Sequence, residues 1–162
     1  MSLANVRLVV TDVDGVLTDD TFIYGHDRQK YRRWNHADGQ AVLRLRAAGI
    51  ETLFLTQEES PDIEVRAAAL GVKCIIGGTD KLEALQRLYL SPYEISLANV
   101  AYIGNEENDL GVLSAVGHPF LPADAWLAFK HLTVGYQLMR RGGEGCLREV
   151  AERILSCRAV LV

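Results

Sequence analysis

The sequence predicts an α/β fold in which a parallel β-sheet is flanked by helices. Short apolar runs alternate with amphipathic stretches, a pattern typical of strands joined by helical crossovers. Polar residues follow four of these runs, where open parallel sheets carry their ligand sites. The 162 residues are 49% hydrophobic and 23% charged. We therefore expect a single domain, residues 1–162, with a substantial core.

The strands and helices can be assigned in chain order. The predicted strands are residues 8–10, 51–56, 72–76 and 100–104. The first predicted helix runs from Asp38 or Gly39 to Ala48, and Gly49 ends it. The second has Ser60 as its N-cap, begins at Pro61 and is ended by Gly71. A third begins at Lys81 with Leu82, Leu85 and Leu88 facing inward, a short fourth begins at the capping box Ser91–Glu94, and the last runs from Glu144 to Leu155.

Residues 20–36 interrupt this alternation and predict a β-hairpin that turns at Gly25 to Arg28. The hairpin carries four aromatic residues, namely Phe22, Tyr24, Tyr31 and Trp34. An isolated hairpin is marginal in water. We therefore expect it to pack, and the sequence leaves open whether it packs on its own domain or on another subunit.

The segment Asp12-Val-Asp14-Gly15-Val-Leu-Thr-Asp19 directly follows the first apolar run. Its first two acids lie on the same side of the chain at the end of a buried strand. An aspartate in this place can attack phosphorus, and its neighbour two residues on can protonate the leaving oxygen and later deprotonate water. Gly15 allows backbone N–H groups to approach a phosphate.

Other candidate site residues follow the later strands. Thr56 ends the second run, where its hydroxyl can donate to a phosphoryl oxygen. Lys81 opens a helix after the third run, and its ammonium can neutralise phosphate and keep a nucleophile ionised. Asn105, Glu106 and Asp109 follow the fourth run and are candidate ligands of a hard cation.

Composition excludes some partners. Seventeen Lys and Arg against 21 Asp and Glu give a net charge of −4, so neither nucleic acid nor an anionic membrane is an expected partner. No apolar stretch reaches the length of a membrane span. The three cysteines, Cys74, Cys146 and Cys157, lack CxxC spacing. We interpret them as reduced thiols in a cytoplasmic protein.

The motif D-V-D-G-V-L-T-D resembles the first motif of the haloacid dehalogenase (HAD) superfamily of Mg²⁺-dependent phosphatases. Together with the hairpin and with the segments 35–39, 80–82, 100–104 and 141–145, it is similar to the capless family of 3-deoxy-D-manno-octulosonate 8-phosphate (KDO 8-phosphate) phosphatases over nearly the whole chain. The similarity extends to phosphatases of sialic-type sugar acid 9-phosphates and to the C-terminal domain of acylneuraminate cytidylyltransferases. It implies a Rossmann-like HAD fold without a cap domain.

The resemblance also implies a reaction, namely hydrolysis of a phosphorylated 2-keto-3-deoxy sugar acid through an aspartyl phosphate. Asp12 is then the nucleophile and Asp14 the general acid and base, and Mg²⁺ is held by Asp12, the Asp14 carbonyl and Asn105. The implied substrate-binding residues are Asp38, Glu58, Arg140 and Arg141. The relatives further imply a homotetramer in which hairpins meet centrally and the C-terminal tail, residues 140–162, reaches a neighbouring site.

Two departures from the family leave alternatives open. Gln57 and Glu58 stand where octulosonate phosphatases usually have Gly-Arg, and an acid in the second place is similar to the sialic-type relatives. Asn105 stands where the family has a metal-binding aspartate. A catalytically weak oligomerisation or regulatory domain, associated with acylneuraminate activation, is therefore the alternative to an enzyme. The segment 140–145 is either a lid acting in trans or a flexible connector.

Overall fold

The computed structural model of the protein describes residues 2–126 and 135–159. In chain order the elements are β1 (Leu8–Thr11), β2 (Ile23–Tyr24), β3 (Lys30–Tyr31), α1 (His36–Ala47), β4 (Glu51–Thr56), α2 (Pro61–Leu70), β5 (Lys73–Ile76), α3 (Lys81–Leu85), β6 (Val100–Ile103), α4 (Leu110–Ala115), β7 (His118–Leu121), β8 (Tyr136–Gln137) and α5 (Cys146–Ala159).

Six strands form one parallel sheet in the order β5-β4-β1-β6-β7-β8. The chain leaves β1 towards one edge of the sheet and later returns to the other side of β1 as β6. The strand order therefore reverses between β1 and β6. In open α/β sheets the crevice at the carboxyl end of such a reversal is the ordinary place for a ligand.

Both faces of the sheet are covered. Alternate residues of each strand point to opposite faces, so Val9 packs in a core with α1, α2 and α5. Its neighbours Leu8 and Val10 pack in a second core with α3 and α4. The predicted α/β layers are confirmed. A strand that is buried on both faces carries a continuous apolar run, which explains why β1, β4 and β6 were recognisable from sequence.

The structure adds two strands that the sequence did not predict, β7 and β8. β7 contains Pro119, and a proline argues against a strand because it cannot donate to the ladder. β8 has only two residues, both exposed. These strands extend the sheet on the side of β6.

The second helix follows its sequence signals closely. α2 begins at Pro61 after Ser60 and ends at Gly71, which adopts a left-handed conformation with φ 62°. The first helix begins slightly earlier than predicted because Asn35 caps it, accepting a hydrogen bond from Ala37 N. The last helix begins at Cys146, two residues after its predicted start, and extends to Ala159, the last described residue, past the predicted end at Leu155.

Two predictions about residues 81–95 are wrong. After α3 the backbone widens into a π-helical turn, Gln86–Leu90, which rotates the buried face. Leu88 is therefore exposed, whereas Tyr89 and Leu90 are buried. No helix begins at the predicted capping box, because this segment closes the preceding turn: Ile95 N donates to Leu90 O, and Glu94 has a φ of 52°.

The hairpin is present as predicted. β2 and β3 pair antiparallel around a turn in which Gly25 N donates to Gln29 O. Trp34 packs against the core of its own domain. Ile23, Tyr24 and Tyr31 are 65%, 72% and 47% exposed. The hairpin is thus anchored at its base and presents apolar side chains to solvent at its tip. Within the described residues the hairpin is the insertion between β1 and α1, and no cap domain is found there.

All three cysteines are free thiols. Burial, together with the Glu64 carboxylate, raises the pKa of Cys74 to about 11. No helix among the described residues combines the length and hydropathy needed to cross a bilayer.

Candidate active site

The candidate site lies at the carboxyl ends of β1 and β6. Asp12 directly follows β1, and its backbone N–H donates to Ile103 O of β6 over 2.9 Å, which continues the sheet pairing by one residue. The Asp12 side chain is 5% exposed. This carboxylate therefore lies inside the crevice where the strand order reverses.

Lys81 brings a positive charge to Asp12. It is the first residue of α3, follows the capping residue Asp80, and is 2% exposed. Its Nζ lies 2.9 Å from Oδ1 of Asp12 and 2.7 Å from Oδ1 of Asp109. A buried ammonium is stable in this place because it is paired with two carboxylates. Tyr102 donates its hydroxyl to the same Asp109 oxygen.

Burial and neighbouring charges act in opposite directions on the pKa values of Asp12 and Lys81. Burial raises the pKa of Asp12, the Asp109 charge raises it further, and Lys81 lowers it; the net direction is upward. Burial lowers the pKa of Lys81, but Asp12 and Asp109 outweigh burial and raise it. The ammonium is therefore firmly charged, while Asp12 would gain from more positive charge nearby.

The Asn105 side chain is a candidate ligand for a cation that would add positive charge near Asp12. This side chain is 5% exposed, and its Oδ1 is buried without a hydrogen-bond partner among the described residues. Gly15 lies against it with a φ of +74°, and a Cβ on Gly15 would come within 2.0 Å of Asn105 Nδ2. A glycine is thus required beside the amide. An orphaned buried carbonyl oxygen next to an aspartate is a donor set suited to a hard cation.

Asp109 uses both of its oxygens in hydrogen bonds, which favours an indirect role in the site over direct ligation of a metal. Its Oδ1 accepts from Lys81 and Tyr102. Its Oδ2 accepts from the backbone N–H of Asn105 over 2.8 Å and of Glu106 over 3.1 Å. All its acceptor capacity serves to position other residues.

Glu106 remains a candidate ligand. Its side chain is only partly buried, and burial followed by the Asp20 charge raises its pKa. Within the described residues no group of three or more His, Cys, Asp and Glu side chains is arranged to hold a metal. A cation site here would therefore depend on amide or backbone oxygens as well as on Asp12.

Thr56 occupies the end of β4, next to β1 in the sheet. It is 2% exposed, and its Oγ1 accepts from the backbone N–H of Glu58 over 3.2 Å. With its acceptor side engaged, the hydroxyl can donate its proton to a phosphoryl oxygen. The three predicted phosphate-binding residues thus follow or end neighbouring parallel strands: Gly15 follows β1, Thr56 ends β4, and Lys81 follows β5.

Asp14 is bound by a residue that sequence reasoning did not single out. Arg32, just after β3, donates from Nε to Asp14 Oδ1 over 2.7 Å and from Nη2 to Asp14 Oδ2 over 2.9 Å. The same Nη2 donates to Glu58 over 2.6 Å. Lys30 also pairs with Glu58. The hairpin thereby reaches the predicted general acid and the predicted substrate-binding glutamate.

Asp38 does not reach the site, which corrects its prediction as a substrate-binding residue. It is 4% exposed, and its Oδ1 accepts from Arg148 N over 3.0 Å at the start of α5. Burial raises the pKa of Asp38 to about 6, although hydrogen bonds from Arg148 and Leu147 oppose this. Asp38 joins α1 to α5.

The segment 140–145 packs on its own subunit, against the loop that follows β1. Gly143 N donates to Val16 O over 3.0 Å, and a Cβ on Gly142 would lie 2.3 Å from Gly15 O. Glu149 of α5 accepts from the backbone N–H of Arg140 over 2.9 Å. The two glycines are needed for close packing, and the segment forms a wall behind the Asp12–Gly15 loop of its own subunit.

Arg140 and Arg141 are exposed. Nε of Arg141 lies 3.3 Å from Asp124, in the loop after β7. The backbone of this loop also reaches the site, since Trp126 N donates to Asn105 O. Neither arginine has a hydrogen bond or an ion pair with Asp12 among the described residues.

Sequence reasoning missed four residues that organise the site, namely Arg32, Tyr102, Asp124 and Glu149. Tyr102 lies within an apolar run, and nothing in that run marks its hydroxyl as a donor to Asp109. Arg32 lies in a cluster of basic hairpin residues, and nothing in the sequence separates it from Arg33, whose side chain is 79% exposed. Their roles depend on contacts between distant segments.

Known proteins share these features. A model of the haloacid dehalogenase-like hydrolase family matches residues 55–126. The KDO 8-phosphate phosphatase of Haemophilus influenzae is 32% identical over 156 residues, which cover 96% of this chain and 86% of that protein. The phosphatase of Yersinia pestis is 33% identical and covers 94% of this chain and 81% of that protein.

Solved structures agree. The cobalt-bound deoxy-D-mannose-octulosonate 8-phosphate phosphatase of Haemophilus influenzae superimposes with a TM-score of 0.91 at 31% identity, covering 98% of this chain and 92% of that one. The Moraxella catarrhalis enzyme in complex with magnesium, phosphate and KDO gives 0.91 at 30% identity, covering 97% and 90%. The chain therefore belongs to the haloacid dehalogenase-like hydrolases, within the family of 3-deoxy-D-manno-octulosonate 8-phosphate phosphatases.

Proposed function

We propose that this phosphatase hydrolyses the phosphomonoester of a 2-keto-3-deoxy sugar acid, KDO 8-phosphate, through an aspartyl phosphate at Asp12. The observation that supports this most is the buried Lys81 ammonium between Asp12 and Asp109. Burying three charges is costly, and a domain that served only as a scaffold would not need them. This argues against the alternative of a catalytically weak oligomerisation domain.

In the first half-reaction an Asp12 carboxylate oxygen attacks phosphorus and the bond from phosphorus to the sugar oxygen breaks. Asp14 gives its proton to that oxygen, which leaves as an alcohol. Lys81 and the Thr56 hydroxyl hold the phosphoryl oxygens. In the second half-reaction water attacks phosphorus, Asp14 takes the proton from the water, and the bond to Asp12 breaks to release inorganic phosphate.

The residues present fit Mg²⁺, which the Moraxella catarrhalis relative contains. Asp12, the Asp14 carbonyl and Asn105 would hold it, and Glu106 is a further candidate. The support for this assignment is Asn105 Oδ1, which is buried and has no hydrogen-bond partner among the described residues. When bound, the ion supplies positive charge that stabilises the ionised Asp12 and the charge of the transferring phosphoryl group. Asn105 gives the site one negative charge less than an aspartate would.

The size of the sugar acid is the finer part of the proposal. The Moraxella catarrhalis structure contains KDO itself, which favours an eight-carbon substrate. Glu58, half-buried and paired with Arg32 and Lys30, is the residue of this site that resembles the sialic-type relatives. Arg140 and Arg141, both exposed, are the proposed partners of the substrate carboxylate.

We also propose a homotetramer assembled through the hairpin. The exposed side chains of Ile23, Tyr24 and Tyr31 would cover one another there, since a two-stranded hairpin with an apolar tip is stabilised by further packing. The C-terminal tail, residues 140–162, is proposed to reach the site of a neighbouring subunit, and its last three residues lie outside the described residues.

The test is hydrolysis of KDO 8-phosphate and of a sialic acid 9-phosphate, each with Mg²⁺ and with EDTA. We expect Mg²⁺-dependent release of phosphate with a higher kcat/KM for KDO 8-phosphate. A higher kcat/KM for the nine-carbon substrate would overturn the choice of sugar acid. The proposed reaction would be overturned if neither substrate released phosphate in a Mg²⁺-dependent way, or if the Asp12→Asn variant released phosphate as fast as the wild type.

A further inference from the structure

Arg32 is the most completely engaged charged side chain of the site. It has no exposed side-chain surface. Its Nε and Nη2 bind both oxygens of Asp14, Nη2 also binds Glu58, and Nη1 donates to Asp62 over 2.8 Å and to Ser60 over 3.3 Å. A single guanidinium thus joins the ends of β1, β4 and the start of α2.

The contact with Asp14 has a consequence for acid catalysis. A carboxyl group that gives a proton to a leaving oxygen needs one of its oxygens directed at the substrate. In this structure Arg32 occupies both oxygens of Asp14, and Thr18 Oγ1 lies a further 3.4 Å from Oδ1. Oδ2 accepts only one of these bonds, so it keeps a position for the proton while Arg32 holds the orientation of the carboxyl group.

We propose, on the basis of the function proposed above, that Arg32 is a positioning residue for Asp14, and that the hairpin sets the orientation of the general acid through it. The fork of the guanidinium suits this role, because its parallel N–H groups hold both carboxylate oxygens in one plane. A lysine in its place carries three donors on one nitrogen and lacks this planar, two-point fit.

The remaining contacts hold Arg32 itself in register. Asp62 takes the Nη1 arm with both of its oxygens, at 2.8 and 3.1 Å. The Phe22 ring lies 5.1 Å from the guanidinium carbon, so the first strand of the hairpin covers it. A cavity of about 690 Å³ is lined by Lys30, Arg32, Glu58 and Asp62 among others.

Three possible roles of Arg32 predict different kinetics. A residue that acts through Asp14 affects substrates whose leaving group needs a proton, whereas an aryl phosphate such as 4-nitrophenyl phosphate expels a stable anion without one. A residue that contacts the sugar carboxylate affects only substrates that carry a carboxylate. A residue that only stabilises the fold lowers the activity on all of them through the amount of folded enzyme.

The experiment measures kcat/KM for three substrates: KDO 8-phosphate, an alkyl sugar phosphate without a carboxylate, and 4-nitrophenyl phosphate. Because kcat/KM reports steps up to departure of the leaving group, it isolates the acid step. We expect Arg32→Lys to lower it about 10-fold, and Arg32→Met about 100-fold, on both alkyl phosphates and less than about 2-fold on the aryl phosphate. Arg33→Met, from the neighbouring exposed arginine, is the matched control and should leave all three unchanged.

A double-mutant cycle gives the second readout. In an Asp14→Asn background, Arg32→Lys should have no further effect on KDO 8-phosphate, because its action passes through the missing carboxylate. A persistent loss in that background, a loss confined to the carboxylate substrate, or an equal loss on the aryl phosphate would each overturn the positioning role. Should Arg32→Met not fold, Arg32→Lys decides the question. Wild-type turnover that does not depend on Asp14 would instead refute the function proposed above.

Discussion

Lys81 Nζ and Asp109 Oδ1 lie 2.7 Å apart in a fully buried pair, and this pair places the ammonium beside the nucleophile. Asp109 also accepts from Tyr102 and from two backbone N–H groups. It therefore fixes the loop after β6 to the start of α3. The charge that would act on phosphate is positioned by a residue that does not itself face the substrate.

Replacing Asp109 with Asn should lower kcat/KM because Lys81 loses the partner that positions it. A misplacement of about 1 Å can cost on the order of 100-fold, and we expect a loss of about 10- to 100-fold in steady-state phosphate release. Glu107→Gln, an exposed carboxylate of the same loop, is the matched control. Equal activity of the two variants would mean that the pair has no part in catalysis.

Replacing Asn105 with Asp restores a full charge beside the proposed ion. The amide and the carboxylate have nearly the same shape, so the contact with Gly15 is kept. We expect Mg²⁺ to bind more tightly, and activity to reach half its maximum at a lower Mg²⁺ concentration. A Mg²⁺ titration of initial rates measures this. An unchanged titration would show that position 105 is not a ligand and would favour Glu106.

Asp38 should make the stability of the protein depend on pH. Its pKa is raised from 3.8 to about 6, mainly by burial, so the folded state holds a proton that the unfolded chain releases. The free energy of unfolding therefore falls as pH rises from about 4 to about 6, by on the order of 3 kcal/mol. Asp38→Asn mimics the protonated form and lacks this slope.

Urea unfolding of the wild type and of Asp38→Asn at several pH values tests this. The variant should gain stability relative to the wild type between pH 4 and 6 and keep a constant advantage above that range. A difference between the two proteins that is independent of pH would contradict the assignment.

Gly142→Ala should destabilise the wall behind the catalytic loop. The added Cβ would lie 2.3 Å from Gly15 O and 2.9 Å from Thr18 O, and backbone atoms cannot move aside as a flexible side chain can. We expect a loss of about 1–3 kcal/mol in the free energy of unfolding and a lower kcat. In Gly111→Ala the nearest atom is 3.8 Å away, so this variant is the control. Identical stability of both variants would restore a loose connector at 140–145.

Several features were predictable because local sequence determines them. The buried strands could be recognised as apolar runs, and α2 had both of its boundary signals, Pro61 at its start and Gly71 after its end. The ends of those strands then identified Asp12, Thr56, Lys81 and Asn105 as one edge of the sheet. What the sequence could not show was which acid serves the chemistry. Asp38 and Asp109 resemble catalytic residues in sequence, yet Asp38 accepts from Arg148 N of α5 and Asp109 accepts from Lys81, so both bind segments that are distant in the chain.

The same limit applies to the glycines and the hairpin. The pair Gly142-Gly143 reads as flexible, but it is required by a backbone contact with residues more than a hundred positions earlier. Arg32 belongs to a segment that looked peripheral, and its burial depends on three carboxylates from other parts of the chain.

The most direct test of the account is the detection of phosphate on Asp12. Wild-type protein is mixed with KDO 8-phosphate and Mg²⁺, quenched in acid within one turnover, digested and analysed by peptide mass spectrometry, with Asp12→Asn treated in parallel. We expect a phosphorylated peptide carrying the modification on Asp12, and neither that peptide nor turnover in Asp12→Asn. Substrate turnover by Asp12→Asn at the wild-type rate, with no phosphate on Asp12 in the wild type, would contradict the account.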